Sequence, residues 1–277
     1  MRNIRMTIAY DGFSYVGWQV QPNGPSVQVA VEKAIRKLTG QDVNVLAAGR
    51  TDSGVHALGQ VASFRIDSPI PCEGFRKALV KFLPPDIAVR DVVEVPEDFH
   101  ATFSAKWKQY RYVIHNSPDR NPFLKNHVWH QHGPLDSAAI HEAAQVLLGT
   151  HDFRSFESHW PNKATSIRTI YEVTVRRQNF CPLWFGETDA GMVAADSGDF
   201  IWLEIAGNGF LYNMVRAIVG TLLPVGRGRR TADDVRAMLE SMNRSEAGDT
   251  APAAGLYLVR VEYDDEWSAS DADRDNA

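Results

Sequence analysis

Cysteine is nearly absent from this sequence: Cys72 and Cys181 are the only two among 277 residues. Two thiols so far apart exclude a disulfide framework and a thiolate zinc site, and they point to a reducing compartment, with the cytoplasm as the default. Long apolar runs are missing as well. No uninterrupted stretch approaches the roughly 20 residues of a membrane span, and Met1–Tyr10 alternates instead of forming the apolar block of a secretion signal. No membrane association is expected. A glycine-rich phosphate loop is also lacking, since "VGRGRR" at Val225–Arg230 follows an apolar helical pattern and not a strand. The histidines His127, His130, His132, His141, His151 and His159 match neither a two-histidine zinc helix nor a facial triad, so no metal is expected.

An excess of positive charge is lacking too, yet the net −5 hides a gradient. Residues 262–277 carry seven acids against Arg274, while residues 1–130 hold 16 Lys and Arg against 12 Asp and Glu. The end of the chain, 264–277, therefore reads as a solvated, disordered acidic tail, and the first half has room for a basic surface. What is present in quantity is apolar material, 44% of residues, enough for one large core or two modest ones.

Ile4, Met6, Ile8 and Tyr10 alternate as in a half-buried strand. Ser26 is placed to cap a helix carrying Val27, Val31, Ile35 and Leu38, with Gly40 as its stop. Strands are expected at Val43–Ala48, Gln60–Ile66 and Ile87–Val95, the last preceded by a helix that Pro71 starts and Pro84 ends. The second half offers strands at Trp107–His115, Ile167–Arg176, Phe200–Ala206 and Leu256–Tyr263. Its helices are a segment capped by Asp136 and stopped by Gly149, an apolar one over Phe210–Leu223, and a short one over Thr231–Met242. The polar segment Gln178–Gly198 reads as an insertion or long hairpin. This order lacks the regularity of a parallel fold, so the expectation is α+β, with a first subdomain over 1–103 and a second over 104–263.

The stretch "AAGRTDSGVHALGQVASF", Ala47–Phe64, sets Asp52 in a turn of small residues between two apolar runs. Gly49 and Gly54 permit tight backbone there, and Arg50 offers a charge for a phosphate or for the carboxylate. Taken alone, the four residues around Asp52 fit ordinary turn chemistry equally well. A second Asp-Ser-Gly at Asp196–Gly198 raises the possibility of a paired-carboxylate protease. Context argues against it: Arg50 would keep Asp52 ionised, and the second triplet, followed by Asp199, reads as a hairpin turn. On the strand Lys106–Ile114, Lys106, Lys108, Tyr110 and Tyr112 share one face, a basic and aromatic stripe suited to nucleic acid, although an ordinary half-buried strand explains it as well. The arginines of "VGRGRR" fit an RNA-backbone contact or a solvated loop.

"GRTDSGVHA" resembles the catalytic motif of the tRNA pseudouridine synthase A family, and the resemblance continues in order along nearly the whole chain. The segments that carry it are "YDGFSYVGWQVQPNGPSVQ", "FLPPDIAV", "FHATFSAKWKQYRYVIHN", "GTHDFRSF", "GFLYNMVRAIVGTLLPVGRG" and "AAGLYLVRVEY". The resemblance implies two similar α+β subdomains with mostly antiparallel sheets joined around a central basic cleft, a homodimer, and tRNA as partner. It implies isomerisation of uridine to pseudouridine at positions 38 to 40 of the anticodon arm, with no cofactor. Asp52 matches the catalytic aspartate, Arg216 the arginine paired with it, Tyr110 the tyrosine stacked on the uracil, Leu256 an apolar residue near the base, and Arg50 an arginine of RNA contact and base extrusion.

Three positions depart from the family pattern: Ser53 stands where alanine is usual, Thr102 where arginine is common, and the 178–198 insert has no counterpart. Two alternatives remain open at this stage, a non-catalytic tRNA-binding module and a synthase of another RNA target. Also open is whether Asp52 would act at C6 of the uracil, at the sugar, or on a ribose proton.

Overall fold

The computed structural model describes residues 1–158, 165–179 and 198–264. The chain divides into two compact units, Met1–Lys108 with Leu258–Ala277, and Gln109–Tyr257. Each is α+β with mostly antiparallel strands.

In the first unit, β1 (Arg2–Tyr10) buries Ile4, Met6, Ile8 and Tyr10, the alternation read from sequence. α1 (Val27–Thr39) begins where the Ser26 hydroxyl accepts from the Val29 amide. It ends where Gly40, at φ 75°, returns its N–H to the Arg36 carbonyl. β2 is only Leu46–Ala47, shorter than expected, whereas β3 (His56–Ile66) starts four residues earlier than expected. α2 (Cys72–Leu79) closes well before Pro84 and buries Phe75 and Leu79, with Phe75 against Phe64. β4 (Ile87–Val95) completes the run. β1 pairs antiparallel with both β3 and β4, and β2 pairs with β3.

The second unit opens with β5 (Trp107–Asn116), whose first two residues still belong to the first unit. Two short strands follow that the sequence did not announce: β6 (Trp129–Gln131), parallel to β5, and β7 (Gly149–Asp152). Between them α3 (Ser137–Ala144) is capped by the Asp136 carboxylate and finishes in a 3-10 turn, so Gly149 opens a strand instead of closing a helix. β8 (Ile167–Gln178) and β9 (Phe200–Gly207) pair antiparallel as far as Gln178 opposite Phe200. Most of the insert, 180–197 with Asp196, Ser197 and Cys181, lies outside the described residues, as does His159.

α4 (Met214–Gly226) is buried almost along its whole length; it begins four residues after Phe210 and runs three residues past Leu223. α5 (Ala232–Ser241) has a reciprocal cap between Thr231 and Asp234. β10 (Leu256–Glu262) leaves the second unit at Tyr257 and lies beside β3 in the first. The acidic tail from residue 265 onward lies outside the described residues, and Asp264 pairs with Lys106. Among the described residues no helix is long and apolar enough to cross a membrane.

Candidate active site

Asp52 sits half-buried between β2 and β3, and a second loop of the first unit, residues 11–18, is laced to its turn through the main chain. Gly17 forms an isolated bridge with Asp52, the Trp18 amide donates to the Thr51 carbonyl at 3.0 Å, and the Gly54 amide donates to the Tyr15 carbonyl at 3.3 Å. The Val55 amide closes the turn on the Asp52 carbonyl at 3.1 Å. Such contact demands residues without side chains. A Cβ on Gly12 would lie 1.9 Å from the Val55 carbonyl oxygen, and one on Gly17, at φ 116°, would lie 2.6 Å from that of Thr51. The hydroxyl of Ser53 donates to the Tyr15 carbonyl at 3.3 Å, so this departure from the family pattern adds a bond and displaces nothing.

Beneath the turn lies a buried polar group that sequence reasoning missed. The Tyr10 phenol shares a hydrogen with the Thr51 hydroxyl at 2.8 Å, and the Gln60 amide donates to the Gly49 carbonyl at 2.7 Å and to the Tyr10 oxygen at 3.4 Å. Burial pushes the Tyr10 phenol up to about 12, the two hydrogen bonds opposing it, so the tyrosine is neutral and available as donor. The ordinary strand alternation of Tyr10 and Gln60 gave no hint of this role. Arg50 is exposed, and among the described residues it makes no hydrogen bond or ion pair. Thr102, where the family often has arginine, donates through its hydroxyl to the Ala47 carbonyl at 2.7 Å, tying its loop to β2.

In the second unit, Arg216 lies in the first turn of α4, half-buried. Its Nε donates to the Ala251 carbonyl at 2.6 Å and its Nη1 to Asn213 Oδ1 at 2.8 Å. The loop that supplies Ala251 lies directly on α4 because Gly220 and Gly248 leave room: a Cβ on Gly220 would be 1.7 Å from the Asp249 carbonyl oxygen. The Ala251 amide returns to the Arg216 carbonyl, and the buried Tyr112 phenol donates to the Pro252 carbonyl at 2.7 Å. Tyr110 is buried with its ring edge-on to Phe210, centroids 5.0 Å apart. Tyr112 is fully buried, so that member of the expected stripe belongs to the core. Leu256 is buried at the start of β10, just after a 3-10 turn. Arg229 and Arg230 of "VGRGRR" are exposed.

Within the first unit the structure thus joins Arg50 and Asp52 in one locked turn. Within the second it gathers Arg216, Asn213 and the 251–252 loop at the head of α4. Several of the histidines considered for metal bind main chain instead: His141 accepts from the Val175 amide, and His130 and His151 contact the carbonyls of Ser117 and Leu148.

A family model described as tRNA pseudouridine synthase matches residues 6–104 and 143–264. Among curated proteins, the tRNA pseudouridine synthase A of Acetivibrio thermocellus is 46% identical over 263 residues, covering 95% of this chain and 100% of that protein. The protein of the same name from a Thermoanaerobacter species is 44% identical with the same coverage. That of Syntrophotalea carbinolica is 42% identical, over 95% of this chain and 97% of its own.

Proposed function

The chain belongs to the tRNA pseudouridine synthase family, and from that premise we propose that it isomerises uridine to pseudouridine at positions 38 to 40 of the tRNA anticodon arm. It is an isomerase of tRNA uridine. The reaction breaks the bond from ribose C1′ to uracil N1, turns the base, and joins C1′ to C5; the proton lost from C5 is balanced by one gained at N1. Nothing is oxidised or added, so no cofactor enters the proposal.

The observation that carries the reading is the turn of Asp52. A carboxylate that must meet one atom of a bound nucleotide needs a fixed backbone, and the bridge to Gly17 with the bonds of Thr51 and Gly54 supplies one. In this reading Asp52 is the catalytic carboxylate, and Arg216 supplies the guanidinium that favours its ionised form. Tyr110 covers a face of the uracil and Leu256 packs near it, so the detached ring is retained. A uridine paired in the arm must first leave its stack, at a cost of a few kcal/mol, and exposed Arg50 is assigned to fill the vacated space. Arg229 and Arg230 are assigned to phosphates. A cytoplasmic homodimer is part of the same proposal.

Incubation with an unmodified tRNA transcript, followed by carbodiimide treatment and primer extension, tests it. Stops reporting pseudouridine at positions 38 to 40 are expected, with tRNA binding that weakens steeply as salt rises. Binding without any stop would indicate a tRNA-binding module, and stops only elsewhere would overturn the assigned positions.

A further inference from the structure

Asn213 stands at the N-cap of α4 but does not do what an asparagine there usually does. Its side chain makes no bond to the first amides of the helix, and its backbone takes the left-handed conformation at φ 60° and ψ 6°. Both features serve something else. The left-handed backbone belongs to a chain that turns sharply between Leu211 and Met214, whose amide reaches back to the Leu211 carbonyl at 3.0 Å. The amide side chain bridges two partners: Oδ1 accepts from Arg216 Nη1 at 2.8 Å, and Nδ2 donates to Ser158 Oγ at 3.0 Å. Ser158 is tied in turn by its own amide to the Tyr212 carbonyl at 3.1 Å.

The Ala251 carbonyl holds Nε, and the orientation of the guanidinium also depends on what meets its far nitrogens. Asn213 engages one of them, and Ser158 fixes which end of the Asn213 amide presents oxygen. We propose that Asn213 is a positioning residue for Arg216, spending its side chain on orienting the guanidinium instead of on capping α4. This rests on the reading of Arg216 as the cation that serves the catalytic carboxylate.

Glycine is at ease at φ 60°, so Asn213→Gly removes the amide while leaving the backbone turn unstrained. Under single-turnover conditions with tRNA, Asn213→Gly is expected to lower the rate of pseudouridine formation about tenfold or more. The tRNA concentration for half-maximal rate should stay within about twofold, and the unfolding midpoint within about 3 °C. Asn213→Asp restores an oxygen acceptor and also suits the left-handed backbone. It is expected to recover much of the rate at neutral pH, while its acid limb moves upward, because a second carboxylate on Arg216 weakens the hold on the ionised catalytic one. An unchanged rate in Asn213→Gly, or a loss of rate matched by a collapse of the midpoint, would overturn the proposal. Arg216→Gln separates the premise: full activity there would remove the role of Arg216 itself, whereas an inactive Arg216→Gln beside a fully active Asn213→Gly would sink only the role of Asn213.

Discussion

Around Asp52 the atoms that fix the geometry are mostly main chain; at Arg216 a side-chain amide shares that task with a carbonyl. In the first unit two loops cross so closely that Gly12 and Gly17 touch the backbone of the opposing turn, and Thr51, Asp52 and Gly54 are held through amides and carbonyls. At the head of α4, a guanidinium is steered by the Asn213 amide and one carbonyl of a neighbouring loop. The difference teaches where each site is vulnerable. The first is sensitive to any added bulk at its glycines, while the second depends also on the chemistry of single side chains.

The comparison breaks most sharply at Gly12. In Gly12→Ala the new methyl meets the Val55 carbonyl, an atom that cannot rotate away, and a destabilisation of about 3 kcal/mol or more is expected. Thermal unfolding followed by circular dichroism should show a midpoint lower by roughly 10 °C. A wild-type midpoint would mean that the two loops are not locked as described.

A smaller effect sharpens the view of the polar layer under the turn. The Tyr10 phenol is raised from 10.0 to about 12, so the folded chain holds that proton more tightly than the unfolded one. The stability this contributes is complete below pH 10 and is lost as pH rises through 12, a decline on the order of 2–3 kcal/mol. Tyr10→Phe should therefore be about 1 kcal/mol less stable at pH 8, through the lost bond to Thr51, yet decline less between pH 10 and pH 12. Parallel curves of unfolding midpoint against pH would contradict the assignment. The smallest effect is expected at Ser53, where the hydroxyl only adds a long bond to the Tyr15 carbonyl. Ser53→Ala should change stability and rate by no more than about 0.5 kcal/mol, measured by urea unfolding and single-turnover kinetics.

What could be read ahead of the structure was whatever rests on local chemistry. Ser26 and Gly40 bracket α1, Thr231 with its following acids starts α5, alternation marks β1 and an apolar run marks β4, since each signal is contained within a few residues. The turn of Asp52 was legible as a turn of small residues, and the family resemblance supplied its chemistry. Its clamp was not, because Gly12 and Gly17 act on a segment 34 to 43 residues away, a distance over which sequence pattern is silent. Asn213 was hidden differently: the apolar run from Phe210 to Leu223 reads as one helix, and the left-handed residue inside it interrupts no periodicity. Gly149 looked like a helix stop and instead starts β7, because the 3-10 turn over Gln145–Leu147 had already ended the helix.

The central claim is that one carboxylate, that of Asp52, performs the chemistry on a tRNA uridine. Single-turnover pseudouridine formation by Asp52→Ala, measured beside its tRNA binding, tests it most directly. The account predicts no product with a Kd within about threefold of wild type, since the side chain acts on the base and not on the phosphate backbone. Pseudouridine formed at a comparable rate by the variant would contradict it.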